Sequence, residues 1–157
     1  MTTVHFVCIG NTCRSPMAAE IFNQMLRERS VHGYRGDSFG TMPFYGDDGQ
    51  VKPLREAAVE NVMGEVNGLK GHKPKGAESV VFQNLDIIVL LVRDKLDELM
   101  GQIKVNPSMM RGTHLLVIIM DTEDPFGGTV EKYIDCCRFL RKGLEEHFDD
   151  LTGMRDS

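Results

Sequence analysis

At 157 residues, 41% apolar and 26% charged, the chain has the size and make-up of one globular domain burying roughly 70% of the surface its unfolded form exposes. A formal net charge of −5 with no Lys/Arg run, Lys104 and Arg111 standing alone, argues against a nucleic-acid partner. Its longest apolar stretches, Ile87 to Val92 and Leu115 to Met120, fall well short of the roughly 20 residues that span a bilayer, so no membrane partner is expected.

Val4 to Ile9 is a short apolar run of strand type, ended by Gly-Asn-Thr-Cys-Arg-Ser. No basic start or small-residue cleavage pattern marks a leader, which points to the cytoplasm. Ser15 suits a helix N-cap and Pro16 the first helical position, predicting a helix to about Arg29 with Ala19, Phe22, Met25 and Leu26 on one face. Tyr34 to Phe39 reads as a second strand, Gly40 to Lys52 as a long loop and Pro53 to Val66 as a helix. Leu85 to Val92 is a strand of buried type, Lys95 to Met100 a short helix and His114 to Met120 a fourth strand. Residues 121–128 form a loop. From Thr129 to Phe148, apolar residues step by three and four through Val130, Tyr133, Ile134, Cys137, Leu140, Leu144 and Phe148, as in a long closing helix. The last residues are expected to fray.

Strands alternating with helices predict an α/β fold, a four-stranded parallel sheet with right-handed crossovers and helices on both faces. Ligands of such sheets sit at the carboxyl ends of the strands. The loops 8–15, 40–50 and 121–128 all leave strands at that edge.

Cys8 and Arg14, with five residues between them in the first of these loops, lie between a strand end and a helix start. Successive N–H groups of a tight loop converge on an anion, the helix N-terminus adds positive potential, and Gly10 can take a positive φ. Arg14 adds a planar fork for two oxygens of an oxyanion such as phosphate. The field that attracts phosphate also favours a thiolate, which makes Cys8 a nucleophile. Attack on a phosphate monoester then needs a proton for the leaving oxygen. Asp124, in Glu-Asp-Pro-Phe-Gly-Gly, is the candidate donor, with Phe126 walling the entrance. The four cysteines, Cys8, Cys13, Cys136 and Cys137, are too few and too clustered for a disulfide framework, and no His stands at a zinc-ligand offset.

With these residues in hand the chain resembles the low-molecular-weight protein tyrosine phosphatase family over nearly its whole length, residues 1–157 reading as one such domain. Val7 to Pro16 is similar to that family's opening signature, and Asp124-Pro125-Phe126 to its general-acid loop. The resemblance implies a flavodoxin-like fold, a phosphorylated protein as substrate and a phosphocysteine at Cys8. It also implies Asp124 as acid and then base, and no metal or organic cofactor. The oxyanion would be held by Arg14 and by the loop Ile9, Gly10, Asn11, Thr12, Cys13 and Ser15. Asn11, Ser15 and Ser38 resemble the family's polar network beneath the loop. His72, in Gly-His-Lys-Pro, either completes that network or is an exposed loop histidine. Phe44 and Phe126, beside Ile9, would grip a flat ring.

The chain departs from the family pattern in several places. Val92 and Arg93 replace an acidic position, the paired aromatics after Asp-Pro shrink to Phe126, and Thr12 stands where a bulky aliphatic residue is usual. Thr12 and the Asp-Pro-Phe-Gly-Gly loop resemble the subgroup acting on phosphoarginine in proteins, whereas the segment from Phe39 to Gly49 resembles the tyrosine-specific members. Phosphotyrosine is the first expectation and phosphoarginine the nearest alternative. An arsenate reductase would need resolving cysteines that the closing helix does not offer. A phosphocysteine carrier would need neither Arg14 nor Asp124, and a silent phosphate-binding module would bind without turnover. Cys13 either traps an oxidised Cys8, making the enzyme redox-sensitive, or packs into the first helix.

Overall fold

The computed structural model describes residues 1–109 and 112–153; Arg111 and the last residues, 154–157, lie outside them. Four strands, β1 (Thr2–Cys8), β2 (Tyr34–Gly40), β3 (Ile87–Leu90) and β4 (Leu116–Ile119), form one parallel sheet in the order β2-β1-β3-β4. Between and after them run the helices α1 (Arg14–Glu28), α2 (Val51–Met63), α3 (Leu96–Lys104) and α4 (Val130–Thr152).

Side-chain alternation explains the two cores. Val4 and Phe6 of β1 and Ile87 and Val89 of β3 point into a core shared with α1, α2 and α4. Val7, Ile88 and Leu90 point the other way, towards Phe39, Phe82 and the α3 residues Leu99 and Ile103. The predicted α/β sheet with helices on both faces is therefore the architecture found. Reversal of strand order next to β1 places the carboxyl end of that central strand, Cys8, where a parallel sheet opens its crevice.

Element ends differ from the sequence reading for local reasons. α1 starts at Arg14, with Cys13 as N-cap and no side-chain cap bond; the Ser15 hydroxyl turns back into the loop instead. α2 starts two residues early and ends at Met63, because Gly64 takes a left-handed conformation at φ 88° and donates its N–H to the Glu60 carbonyl. β3 is four residues rather than eight. Leu85 has φ 74°, and the buried Asp86 spends its carboxylate on the Thr3 and Gln83 amides and on His5. A 3₁₀ turn, Arg93–Lys95, leads into α3, which continues to Lys104. α4 outlasts Phe148 because Leu151 and Thr152 stay buried, and Gly153 closes it at φ 66°.

Candidate functional site

At the end of β1 the chain turns through Ile9–Cys13 into α1. The left-handed residue in this turn is Asn11, at φ 58°, not Gly10. Asn tolerates that conformation, and here its side chain is fixed on every side. Its Nδ2 donates to Ser15 Oγ (2.8 Å) and Ser38 Oγ (3.0 Å), and its Oδ1 accepts the Lys75 amide (3.0 Å). Because Ser15 Oγ accepts from Asn11, its own proton is free to point at Cys8 Sγ, 2.9 Å away. A donor aimed at sulfur is what a thiolate requires.

The outside of the loop is equally committed. The carbonyls of Cys8, Ile9 and Gly10 accept from the amides of Thr41, Met42 and Phe44, at 2.9 to 3.0 Å. His72 Nε2 donates to the Asn11 carbonyl at 2.7 Å, and Arg55 Nη1 to the Thr12 carbonyl at 2.9 Å. The chain has no cis peptide among the described residues. Each captured carbonyl therefore faces the next N–H to the opposite side, the inside of the loop. Ile9 to Cys13 thus present converging donors, as an anion nest does. Gly40 permits the close approach of β2: a Cβ there would collide with the Ile9 carbonyl oxygen. His72 is thus a network member rather than an exposed histidine, and burial pushes it below its ordinary titration range, keeping Nε2–H a neutral donor.

Arg14 is buried at the start of α1. Its Nη1 donates to the Thr122 carbonyl (2.9 Å), and its Nη2 lies 3.6 Å from Asp124 Oδ2. Asp124 Oδ1 accepts the Phe126 amide at 3.0 Å, which folds residues 124–126 into a tight turn. Cys8, Ile9, Gly10, Thr12, Cys13, Arg14, Phe44, Asp124 and Phe126 line one pocket of about 240 Å³. Two of its walls are apolar: Phe44 and Phe126 are 52% and 67% exposed, a surface that invites a flat partner.

Cys13 Sγ lies 3.6 Å from the Tyr133 hydroxyl and 3.7 Å from Thr12 Oγ1. Burial pushes its thiol up, and it belongs to the core shared by α1 and α4, although one side of it reaches the pocket. Cys136 and Cys137 are buried in α4; burial pushes Cys136 up to about 12.

The structure thus brings together Cys8, Ile9, Gly10, Asn11, Thr12, Cys13, Arg14, Ser15, Ser38, Phe44, His72, Asp124 and Phe126. It adds Arg55, Thr122, Lys75 and Tyr133, whose parts depend on contacts distant in sequence and carry no local motif. Among the described residues no group of three or more His, Cys, Asp or Glu side chains could hold a metal ion. No helix there is long and apolar enough to cross a membrane.

The chain is 51% identical over 41 residues to the low molecular weight protein-tyrosine-phosphatase PtpA of Staphylococcus aureus (strain Newman), a match spanning 26% of this chain and 27% of that one. Solved structures agree over far more of the fold. A low molecular weight protein tyrosine phosphatase from T. tengcongensis superposes with a TM-score of 0.73 at 21% identity, covering 96% of this chain and 100% of its own. The YwlE arginine phosphatase from Geobacillus stearothermophilus gives 0.70 at 18%, covering 99% and 96%. An arsenate reductase in its phosphate-binding state gives 0.66 at 19%, covering 96% and 99%. The family model for low molecular weight phosphotyrosine protein phosphatases matches residues 3–155, and the chain belongs to that family.

Proposed function

We propose that the chain hydrolyses phosphate monoesters of proteins, phosphotyrosine first, through a phosphocysteine at Cys8. One observation carries the reading: Cys8, Arg14 and Asp124 line a single pocket whose remaining walls include Phe44 and Phe126. The amides of residues 9–13 and the Arg14 fork bind the phosphoryl oxygens. Cys8 Sγ attacks phosphorus in line, the P–O bond to the substrate breaks, and Asp124 gives its proton to the departing oxygen. Water then attacks the S–P bond. Asp124 takes the water's proton, inorganic phosphate leaves and the thiolate returns. The Ser15 hydroxyl supports the sulfur as leaving group in this second step.

Thr12 favours a second reading, phosphoarginine in proteins. It lines the pocket, where a hydroxyl-bearing side chain takes up less room than a bulky aliphatic one and offers a polar partner. Turnover of phosphotyrosine and phosphoarginine peptides by one preparation tests both. We expect release of phosphate from phosphotyrosine to dominate. A dominant phosphoarginine activity would transfer the assignment to the second reading, and turnover of neither would leave a phosphate-binding module.

A further inference from the structure

Of the five outside donors that hold the anion loop, three are backbone amides of residues 41–44 and one is His72. The fifth, Arg55, has no part in the reaction described above. It is fully buried on α2, with Nη1 2.9 Å from the Thr12 carbonyl and 3.1 Å from Asp48 Oδ2. Its Nε finds no acceptor among the described residues. A guanidinium buried for packing alone costs free energy that an apolar side chain of similar volume would not. This one reaches the middle of the anion loop. Drawing the Thr12 carbonyl outwards turns the Cys13 N–H, on the far side of the same trans peptide, towards the bound anion. Asp48, the second partner, belongs to the loop that follows β2 and carries Phe44.

We propose, resting on the reading of this pocket as a phosphate-ester site, that Arg55 is a positioning residue. It aims the Cys13 amide at the phosphoryl group and, through Asp48, makes that aim depend on the loop that grips the substrate's organic part. Phosphoryl binding and ring binding are then set by one guanidinium. Its buried charge also adds positive potential beneath the anion.

The test compares Arg55→Gln and Arg55→Lys with the parent chain. The readout is the concentration of inorganic phosphate that half-protects Cys8 from iodoacetate, measured on the Cys8 peptide. This constant does not depend on the fraction of protein folded, so a purely structural role leaves it unchanged. Arg55→Gln is expected to weaken protection about tenfold to a hundredfold, the worth of a hydrogen bond from a charged donor. Arg55→Lys keeps the charge but cannot span both acceptors, and should weaken it by about threefold to tenfold. Parent-like constants in both variants, or in Arg55→Lys should the glutamine variant not fold, would overturn the proposal. Asp48→Asn tests the link: KM for nitrophenyl phosphate should rise with kcat held, and an unchanged KM would remove the loop from it. Since protection needs no turnover, a parent chain that hydrolyses nothing would sink the phosphatase reading and leave the Arg55 comparison decisive.

Discussion

Asp124 has a different neighbour at each carboxylate oxygen. Its Oδ1 accepts the Phe126 amide, an interaction any oxygen at that position could make, whereas Oδ2 stands 3.6 Å from Arg14 with the side chain half exposed. Asp124→Asn keeps the first contact and removes the titratable proton, so it isolates the chemistry from the turn. We predict a loss in kcat/KM, which reports the step that forms the phosphocysteine, of about 10² to 10⁴ for alkyl phosphates and less for nitrophenyl phosphates, because only the poor leaving group needs protonation. Equal losses across leaving groups would take the proton donor away from Asp124. The reacting side chains were legible in the sequence because their chemistry is local: Cys8 and Arg14 share one short loop, and Asp124 has its own Asp-Pro turn. Arg55 was not legible. Its partners Thr12 and Asp48 lie in different loops, and an arginine in a helical pattern reads as a solvated surface charge.

Among the elements, the turn from β1 into α1 and the loop after β2 are built as a pair. Sequence placed both at one sheet edge, and the resemblance grouped Asn11, Ser15 and Ser38 beneath the loop, but local pattern also offered Ser15 as a helix cap and Gly10 as the residue of positive φ. Ser15 fits a helix cap by type, yet it serves Cys8 and Asn11, and the positive φ falls on Asn11 because Ser38, Ser15 and Lys75 fix that side chain. Gly40 is where the pairing is tightest. A Cβ there would strike the Ile9 carbonyl and come within 3.1 Å of the Asn11 backbone nitrogen. Neither atom is the end of a flexible side chain, so the loops themselves must part. Gly40→Ala should lower the melting midpoint by about 2 to 12 °C, the range for an overpacked site costing roughly 1–3 kcal/mol. It should also raise the inhibition constant for inorganic phosphate. A variant with the parent's melting midpoint and phosphate affinity would show that the loops tolerate separation.

Across the whole molecule, a parallel sheet with helices on both faces followed from alternating strands and helices, whereas its order β2-β1-β3-β4 is read from the structure. The buried polar pair that joins β1 to the start of β3 did not follow. His5 Nε2 donates to Asp86 Oδ2 at 3.0 Å, its ring set edge-on against both Phe39 and Phe82, and nothing local distinguishes His5 from an apolar strand position. Burial pushes His5 below its ordinary value of 6.5, although Asp86 opposes the shift and Asp37 and Lys75 add smaller effects of opposite sign. Its Nδ1 has no partner among the described residues. The unfolded chain therefore takes up a proton at a pH where the folded chain resists it. Stability should be full above about pH 6.5 and fall as pH drops towards the lowered folded midpoint, with His72 acting in the same direction. Melting midpoints measured from pH 7.5 to 5 should show this decline, and His5→Gln should flatten it. An equally steep decline in His5→Gln would place the acid sensitivity elsewhere.

The proposed chemistry turns on one covalent bond, between Cys8 Sγ and phosphorus. Nitrophenol leaves without help, but hydrolysis of the phosphocysteine needs Asp124 as base, so Asp124→Asn should accumulate the intermediate with nitrophenyl phosphate. Acid-quenching that reaction within its first turnover and mapping the modified peptide by mass spectrometry measures the bond directly. We predict one phosphoryl group on the peptide containing Cys8, lost on prior alkylation of that thiol and absent from Cys8→Ala. Nitrophenol release at the normal rate with no phosphoryl group on Cys8, or with it on another residue, would contradict the mechanism.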